Sequence, residues 1–244
     1  MKSEQREVVS IEQFYDQQWS AGSRDIFALV FRDAIAYSYT VFGDLVGKKV
    51  LEIGCGSGEQ AIYFALQGAE VTVIDISVES LKGVEKLAMC EGVTISGKVM
   101  DAEAMTFVRG EFDLVYINSV MMHVDQRKVM SECERVLRVG GKLVVVEPLQ
   151  YGLFVQGYRF FSSYRKMKPK YMTLRRFNEQ EELFSSSSHQ EFYFFSCLLL
   201  PVFFTSVRFL HQLFYAVAKF DGVLFRVLPF LRKLAWVSVW VYEK

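Results

Sequence analysis

The stretch from Val50 to Gly58 constrains the fold of this chain more than any other. It reads V-L-E-I-G-C-G-S-G, a short apolar run followed by a loop with a glycine at every second position. The residues from Glu59 to Gln67 are typical of a helix. Glycines permit both a sharp turn and the close approach of a ligand to the main chain. The stretch therefore predicts the strand, turn and helix that open a nucleotide-binding βαβ unit.

Between residues 49 and 148, apolar runs alternate with amphipathic segments. Apolar strands separated by helices of about 10–15 residues are typical of a parallel sheet covered by helices on both faces. Ser77 and Asp125 are predicted to cap two of these helices. The five predicted strands are Val50–Ile53, Val71–Asp75, a weak strand ending near Met100, Phe112–Asn118 and Lys142–Glu147.

A polar residue lies at the carboxyl end of each predicted strand. Ligands of parallel sheets bind beyond these ends, because the strand ends meet along one edge of the sheet. The coincidence of five polar residues at this edge predicts a binding site there. The residues are Glu52, Asp75, Asp101, Asn118 and Glu147.

Composition narrows the possible partners and compartment. The chain has 28 Lys and Arg and 28 Asp and Glu, so its formal net charge of zero predicts no general attraction to polyanions. Its four cysteines form no C-x-x-C pair, which predicts neither a metal site nor a disulfide framework and fits a reducing cytoplasm. The charged N-terminus is followed by no apolar run, so we expect no signal peptide.

The flanking regions differ from this alternating segment. Two helices are predicted over residues 11–19 and 24–42, and they either pack on the sheet or form a lid in which Tyr15 or Trp19 closes over the ligand. Arg159 to Arg176 holds seven cationic residues interleaved with aromatics and no acid. The remaining predictions are a polar turn at Ser185–Ser188, a sixth strand at Glu191–Phe195, an apolar region at Leu198–Leu234 and a last strand at Ala235–Tyr242.

Five motifs in the correct order make the chain resemble the class I S-adenosylmethionine-dependent methyltransferases, a family that includes quinone C-methyltransferases and small-molecule O-methyltransferases. They are L-E-I-G-C-G-S-G at 51–58, V-I-D-I-S at 73–77, D-A-E at 101–103, F-D-L-V-Y-I-N-S at 112–119 and L-R-V-G-G-K-L at 137–143. The resemblance implies a Rossmann-like α/β fold with a seven-stranded, mostly parallel sheet. The implied organisation is an N-terminal helical lid at 1–48, a cofactor-binding core at 49–148, an acceptor-binding cap or insertion with the sixth strand at 149–234, and a final core strand at 235–244.

The resemblance also implies how S-adenosylmethionine is held, with S-adenosylhomocysteine as the product. The glycine loop lets its main chain pass close to the methionine part, and Glu52 lies near the ammonium group. Asp75 accepts hydrogen bonds from both ribose hydroxyls. The implied cofactor-binding residues are Tyr15, Glu52, Gly54, Cys55, Gly56, Gly58, Asp75, Ile76, Asp101, Ala102, Asn118 and Ser119.

A nicotinamide dinucleotide is the alternative ligand for a glycine-rich loop. Its fingerprint is G-x-G-x-x-G, whereas this loop reads G-x-G-x-G. Glu52 would also repel a pyrophosphate, which disfavours this alternative.

Two residues are candidates for the base that removes a proton from the acceptor. His123 follows the fourth predicted strand, where many members of the family also carry a histidine, although that histidine often only orders the loop. Glu147, at the end of the fifth strand, is the second candidate. No metal is expected in this reaction.

The region after Pro148 leaves the acceptor open. A small, apolar acceptor methylated on oxygen or carbon is favoured, with an RNA or carrier-protein substrate, or a catalytically degenerate binding partner, as alternatives. Residues 192–218 carry one formal charge, but Pro201 and His211 argue against a simple membrane span. We expect a cytoplasmic protein in which this run caps the acceptor pocket or contacts an anionic membrane surface, unless it forms a homodimer interface. The neutral net charge disfavours nucleic acid.

Overall fold

The computed structural model of the chain describes residues 31–161, 169–204 and 208–244. The helix predicted over residues 11–19, with Tyr15 and Trp19, lies outside these ranges. The elements are α1 (Arg32–Thr40), β1 (Lys49–Ile53), α2 (Glu59–Leu66), β2 (Glu70–Asp75), α3 (Val78–Glu91), β3 (Ile95–Val99), β4 (Phe112–Asn118), α4 (Gln126–Val136), β5 (Leu137–Pro148), α5 (Gln156–Phe161), α6 (Leu174–Asn178), β6 (Ser186–Phe192), α7 (Arg208–Val227) and β7 (Val237–Glu243). Short 3-10 segments cover Met121–His123, Glu181–Leu183, Phe195–Phe204 and Pro229–Leu234.

Within the described residues, seven strands form one sheet in the order β3-β2-β1-β4-β5-β7-β6. The pairs from β3 to β5 are parallel, and β7 is antiparallel to both of its neighbours. The strand order reverses between β1 and β4, where a parallel sheet opens a crevice for a ligand. The predicted seven-stranded, mostly parallel sheet is confirmed.

Helices cover both faces of the sheet. α1, α2 and α3 pack on one face, where Tyr39 stacks on Tyr63 with ring centroids 4.0 Å apart. α4 and α6 pack on the other face, where Phe177 stacks on Trp240 at 4.7 Å. The strands are apolar on both sides because both of their faces are buried.

The two predicted helix caps are confirmed. The Ser77 side chain accepts a hydrogen bond from the Ser80 amide at 3.2 Å, which starts α3. Asp125 accepts from the amides of Arg127 and Lys128 at 3.1 and 3.3 Å, which starts α4.

Two strand boundaries were predicted wrongly. The proposed turn at Ser185–Ser188 is largely strand, because β6 begins at Ser186 and ends at Phe192, where Tyr193 takes a φ of +64°. β6 is the outer strand and pairs along its whole length with the apolar β7, so serines are tolerated there. β5 begins at Leu137 instead of Lys142, and Gly140, with a φ of +73°, lies within it.

The segment between β6 and β7 is anchored by one buried acid. The Asp221 carboxylate accepts hydrogen bonds from the amides of Phe194 and Ser196 and from the Ser196 hydroxyl, at 2.7–3.0 Å. These bonds fix α7 to the chain that leaves β6. Among the described helices, α7 included, we find none with the length and apolar character needed to cross a bilayer.

Candidate active site

The glycine loop after β1 is shaped by close packing on two sides. Gly54 has a φ of +75°, and a Cβ there would clash with Cγ2 of Val120. Gly58 has a φ of +84°, and a Cβ there would lie 2.8 Å from Cγ2 of Val84. A Cβ on Gly56 would meet nothing within 4 Å, so this part of the loop main chain is open to a ligand.

The open side of this loop faces a cavity of about 440 Å³. One end of the cavity is polar and is built by the glycine loop, Asp75 and Asn118. The other end is built by apolar and aromatic side chains from α1 and from the chain after β5. The lining residues are Phe31, Ile35, Gly54, Cys55, Gly56, Ser57, Glu59, Gln60, Asp75, Asn118, Ser119, Val120, Met122, His123, Pro148, Val155, Arg159, Tyr171 and Trp236.

Asp75, at the end of β2, is held by the loop that it faces. One carboxylate oxygen accepts from the Cys55 amide at 3.1 Å and from the Cys55 thiol at 3.4 Å, and the other accepts from the Ser77 amide at 2.8 Å. Burial and the nearby carboxylate raise the pKa of the Cys55 thiol to about 12, so the thiol remains a donor. Each carboxylate oxygen has two lone pairs, so the oxygen bonded to Ser77 retains one acceptor position for a hydroxyl, and a second hydroxyl would replace the Cys55 thiol as a donor.

Glu52 does not line the cavity. It is 1% exposed and accepts a hydrogen bond from the Ala61 amide, in the first turn of α2. Within the described ranges, its Oε2 atom has no hydrogen-bond partner. Burial and, to a smaller extent, the charge of Asp75 raise the pKa of Glu52 well above its usual value. A bound cation would offset part of this burial cost.

Three of the implied cofactor-binding residues, Ile76, Asp101 and Ala102, are not among the residues that line the cavity. Ile76 is 78% exposed, and Asp101 is exposed with one carboxylate oxygen accepting from the Glu103 amide at 2.8 Å. Ala102 is buried in the core. The Met100 amide donates to the Asp75 carbonyl at 3.1 Å, which keeps the ends of β2 and β3 together.

Asn118 and Ser119 form the wall that follows β4. Ser119 has a φ of +59°, and its hydroxyl donates to the Asn118 side-chain oxygen at 3.0 Å. Its amide donates to the Val146 carbonyl at 2.9 Å, which ties this turn to β5. A non-glycine residue in the left-handed region is uncommon and often marks a functional turn.

The two candidate bases lie in different environments. His123 is exposed, ends the 3-10 turn after β4, and lines both the cavity and an outer cleft of about 940 Å³. Glu147 is fully buried, accepts from the Met121 amide at 2.7 Å and is not among the lining residues. Burial raises the pKa of Glu147 to about 8. The structure therefore brings His123, and not Glu147, to the cavity wall.

Several lining residues were not singled out from the sequence. Phe31 immediately precedes α1 and Ile35 lies within it. The start of this helix is fixed because the amides of Asp33 and Ala34 donate to the Tyr193 hydroxyl at 3.0 and 3.3 Å. The others are Val155, Arg159, Tyr171 and Trp236. Their positions depend on tertiary packing, although Arg159 and Tyr171 belong to the cationic and aromatic segment.

The residues present fit the cofactor that the fold implies. The cavity combines an open loop main chain at Gly56 with a carboxylate at Asp75, which suit the methionine part and the ribose of S-adenosylmethionine. Within the described ranges, no group of three His, Cys, Asp or Glu residues is arranged to hold a metal ion.

Residues 51–145 match the sequence profile of a family described as a methyltransferase domain. Together with the glycine loop and the sheet order, this match makes residues 51–145 similar to the class I S-adenosylmethionine-dependent methyltransferases, and the described fold is typical of that class.

The sequence is similar to a ubiquinone biosynthesis O-methyltransferase of Chromobacterium violaceum. The two are 36% identical over 99 residues, which cover 40% of this chain and 43% of that protein. An uncharacterised protein of Mycobacterium bovis is 32% identical over 50% of this chain and 45% of its own length. The chain thus spans about half the length of the curated relatives it matches.

Similar solved structures show the same fold over more of the chain. Geranyl diphosphate C-methyltransferase from Streptomyces coelicolor has a TM-score of 0.61 with 14% identity, over 91% of this chain and 87% of that one. Phosphoethanolamine N-methyltransferase 2 from Haemonchus contortus has a TM-score of 0.62 with 18% identity, over 96% and 57%. At such low identity these likenesses establish the fold alone.

Proposed function

We propose that this protein is an S-adenosylmethionine-dependent methyltransferase that methylates oxygen or carbon on a small, largely apolar acceptor. The proposal rests mainly on the cavity, in which the glycine loop and Asp75 form one end and apolar side chains form the other. A methyl donor and an apolar acceptor can meet in such a cavity with water excluded.

The cofactor is assigned to the polar end. Solved structures of the same fold contain S-adenosyl-L-methionine or S-adenosyl-L-homocysteine, which supports this assignment. Asp75 would accept from the ribose hydroxyls, and the loop at Gly54–Gly56 would pass close to the methionine part. When bound, S-adenosylmethionine supplies a methyl group activated by an adjacent sulfonium.

The acceptor is assigned to the apolar end. Phe31, Val155 and Trp236 offer it an aromatic and aliphatic wall. The names of similar proteins, a ubiquinone biosynthesis O-methyltransferase and a geranyl diphosphate C-methyltransferase, support an acceptor with an apolar body. The contribution of Phe31 and Ile35 to the wall supports a lid within residues 1–48.

We assign the role of base to His123, because it lies on the cavity wall and carries an imidazole, the side chain that enzymes use most often for proton transfer. Glu147 lacks contact with the cavity and instead holds the main chain at Met121. Unchanged turnover in a His123→Gln protein would remove His123 from this role.

Calorimetric titration with S-adenosylhomocysteine tests the proposed function directly. The wild-type protein should bind it, and Asp75→Ala should weaken binding by about 10–100-fold, since hydrogen bonds to a carboxylate contribute roughly 1.5–3 kcal/mol. Glu85→Ala removes an exposed acid of α3 and should leave binding unchanged. No heat from the wild-type protein at millimolar ligand would contradict the proposal.

We further propose that the protein contacts an anionic membrane surface through α7 and the turn after it. This helix presents a stripe of exposed apolar side chains at helical spacing: Phe209, Leu213, Phe220, Val223 and Val227, with Phe230 beyond its end. Exposed cations flank the stripe at Lys219, Arg226 and Lys233. The only acid between residues 192 and 242 is Asp221, which is buried. This combination is typical of helices that lie in a membrane interface.

A further inference from the structure

The guanidinium of Arg159 lies at the apolar end of the cavity, where the proposed function places the acceptor. Its Nη1 and Nη2 atoms donate to the carbonyls of Gln150 and Leu149 at 3.0 and 2.8 Å. Its central carbon lies 3.8 Å from the centre of the Tyr171 ring. The side chain is therefore oriented by main-chain bonds and by stacking, while part of it remains on the cavity wall.

This cation lacks a counter-ion within the described ranges. No Asp or Glu there forms an ion pair with Arg159. Burial lowers the pKa of the guanidinium, which reflects the cost of desolvating its charge. Two carbonyls and the Tyr171 side chain engage up to three of its five N–H donors, so at least two are free to bind an anion.

The anion is better placed on the acceptor than on the cofactor. Arg159 is fixed to the chain immediately after β5, whereas the glycine loop follows β1, and β4 lies between these two strands. The Arg159 guanidinium itself stacks on the neutral ring of Tyr171.

We propose that Arg159 binds an anionic group, a carboxylate or a phosphate, carried by an acceptor whose apolar body packs on Phe31, Val155 and Trp236. This inference rests on the proposed function for the placement of the acceptor. A planar guanidinium held by main-chain carbonyls suits a carboxylate or a phosphate, because it offers paired, parallel donors. The acceptor class is thus an amphiphile with an anionic end.

Three fluorescent probes of matched shape test the proposal: 2-naphthoate, 2-naphthyl phosphate and the neutral 2-naphthylmethanol. With S-adenosylhomocysteine present, at least one anion should bind the wild-type protein ten or more times more tightly than the alcohol. Arg159→Gln should abolish this preference, and Arg159→Lys should retain part of it because the charge is kept. Arg175→Gln, which removes an exposed cation of α6, should leave the preference intact.

The ratio between the two anions identifies the group that the site prefers. Equal affinities of wild-type protein for the alcohol and both anions, or no binding of either anion, would overturn the proposal. An Arg159→Gln protein that keeps its anion preference would also overturn it. So would an Arg159→Gln protein that loses affinity for S-adenosylhomocysteine but not for the anions, since Arg159 would then bind the cofactor. Repeating the titrations without S-adenosylhomocysteine separates the two proposals, because failure of cofactor binding leaves the anion preference measurable.

Discussion

At the scale of single residues, burial assigns different roles to acids that look equivalent in the sequence. Glu52, Asp75 and Glu147 all end strands of the sheet. Only Asp75 reaches the cavity, whereas the other two bind main-chain amides, of Ala61 and Met121, respectively. The strand pattern predicts where an acid lies along the sheet edge, but not whether loops will bury it.

Glu147 should make stability depend on pH. Its pKa is raised by burial from 4.5 to about 8, so the folded protein holds a proton that the unfolded chain releases above pH 4.5. The stabilisation is full below pH 4.5 and is lost as the pH rises towards 8, by at most about 1.4 kcal/mol per pH unit. Glu147→Gln should remove this contribution to the dependence of the unfolding free energy on pH.

Denaturant unfolding of both proteins between pH 5 and 8 measures this effect. The Gln side chain can still accept from the Met121 amide, so binding of S-adenosylhomocysteine should persist. Glu85→Gln, at an exposed acid of α3, should keep the wild-type dependence of the unfolding free energy on pH. If the unfolding free energy changes with pH equally in the wild-type and Glu147→Gln proteins, then Glu147 is ionised in the folded protein over this pH range.

At the scale of elements, much of the core could be predicted because periodicity and caps act locally. Ser77, Asp125 and the faces of α3 and α4 are examples, since a cap or an apolar stripe needs only neighbours in sequence. The start of β6 was missed because the serines there depend on pairing with β7, about fifty residues away. Arg159 was recognised only as part of a basic segment, because its place in the cavity depends on carbonyls after β5.

The turn between β1 and α2 should not tolerate a side chain at Gly54. Gly54→Ala combines a left-handed backbone with a clash against Val120, so it should lower the unfolding free energy by about 1–3 kcal/mol and weaken S-adenosylhomocysteine binding. Val120→Ala in the same chain should recover the part due to the clash. Denaturant unfolding and calorimetry would measure both effects.

Gly83→Ala is the matched control for this substitution. Gly83 lies in α3 with nothing within 4 Å of an added Cβ, so the change should stabilise the helix by up to about 1 kcal/mol. A Gly54→Ala protein as stable as the wild type, with unchanged binding, would mean that the loop can move away from Val120.

At the scale of the whole molecule, charge is balanced in total but segregated in space. The formal net charge is zero, yet residues 192–242 hold five cations and one acid, and the acid is buried. This region also contains the exposed stripe of α7. The sequence left open whether this apolar run caps the pocket, contacts a membrane surface or forms a dimer interface. The structure separates the side chains that pack on the core, such as Phe214 and Phe225, from those that face solvent.

Vesicle flotation should therefore depend on the exposed face of α7. The protein should float with vesicles that contain anionic lipid and less with neutral ones, and added salt should weaken the binding. Val223→Ser with Val227→Ser removes two exposed apolar side chains and should lower binding about tenfold. Val108→Ser with Val139→Ser changes two equally exposed valines outside this region and should not. A wild-type protein that sediments as a dimer, and becomes monomeric only with the α7 substitutions, would assign the stripe to a second copy of the chain.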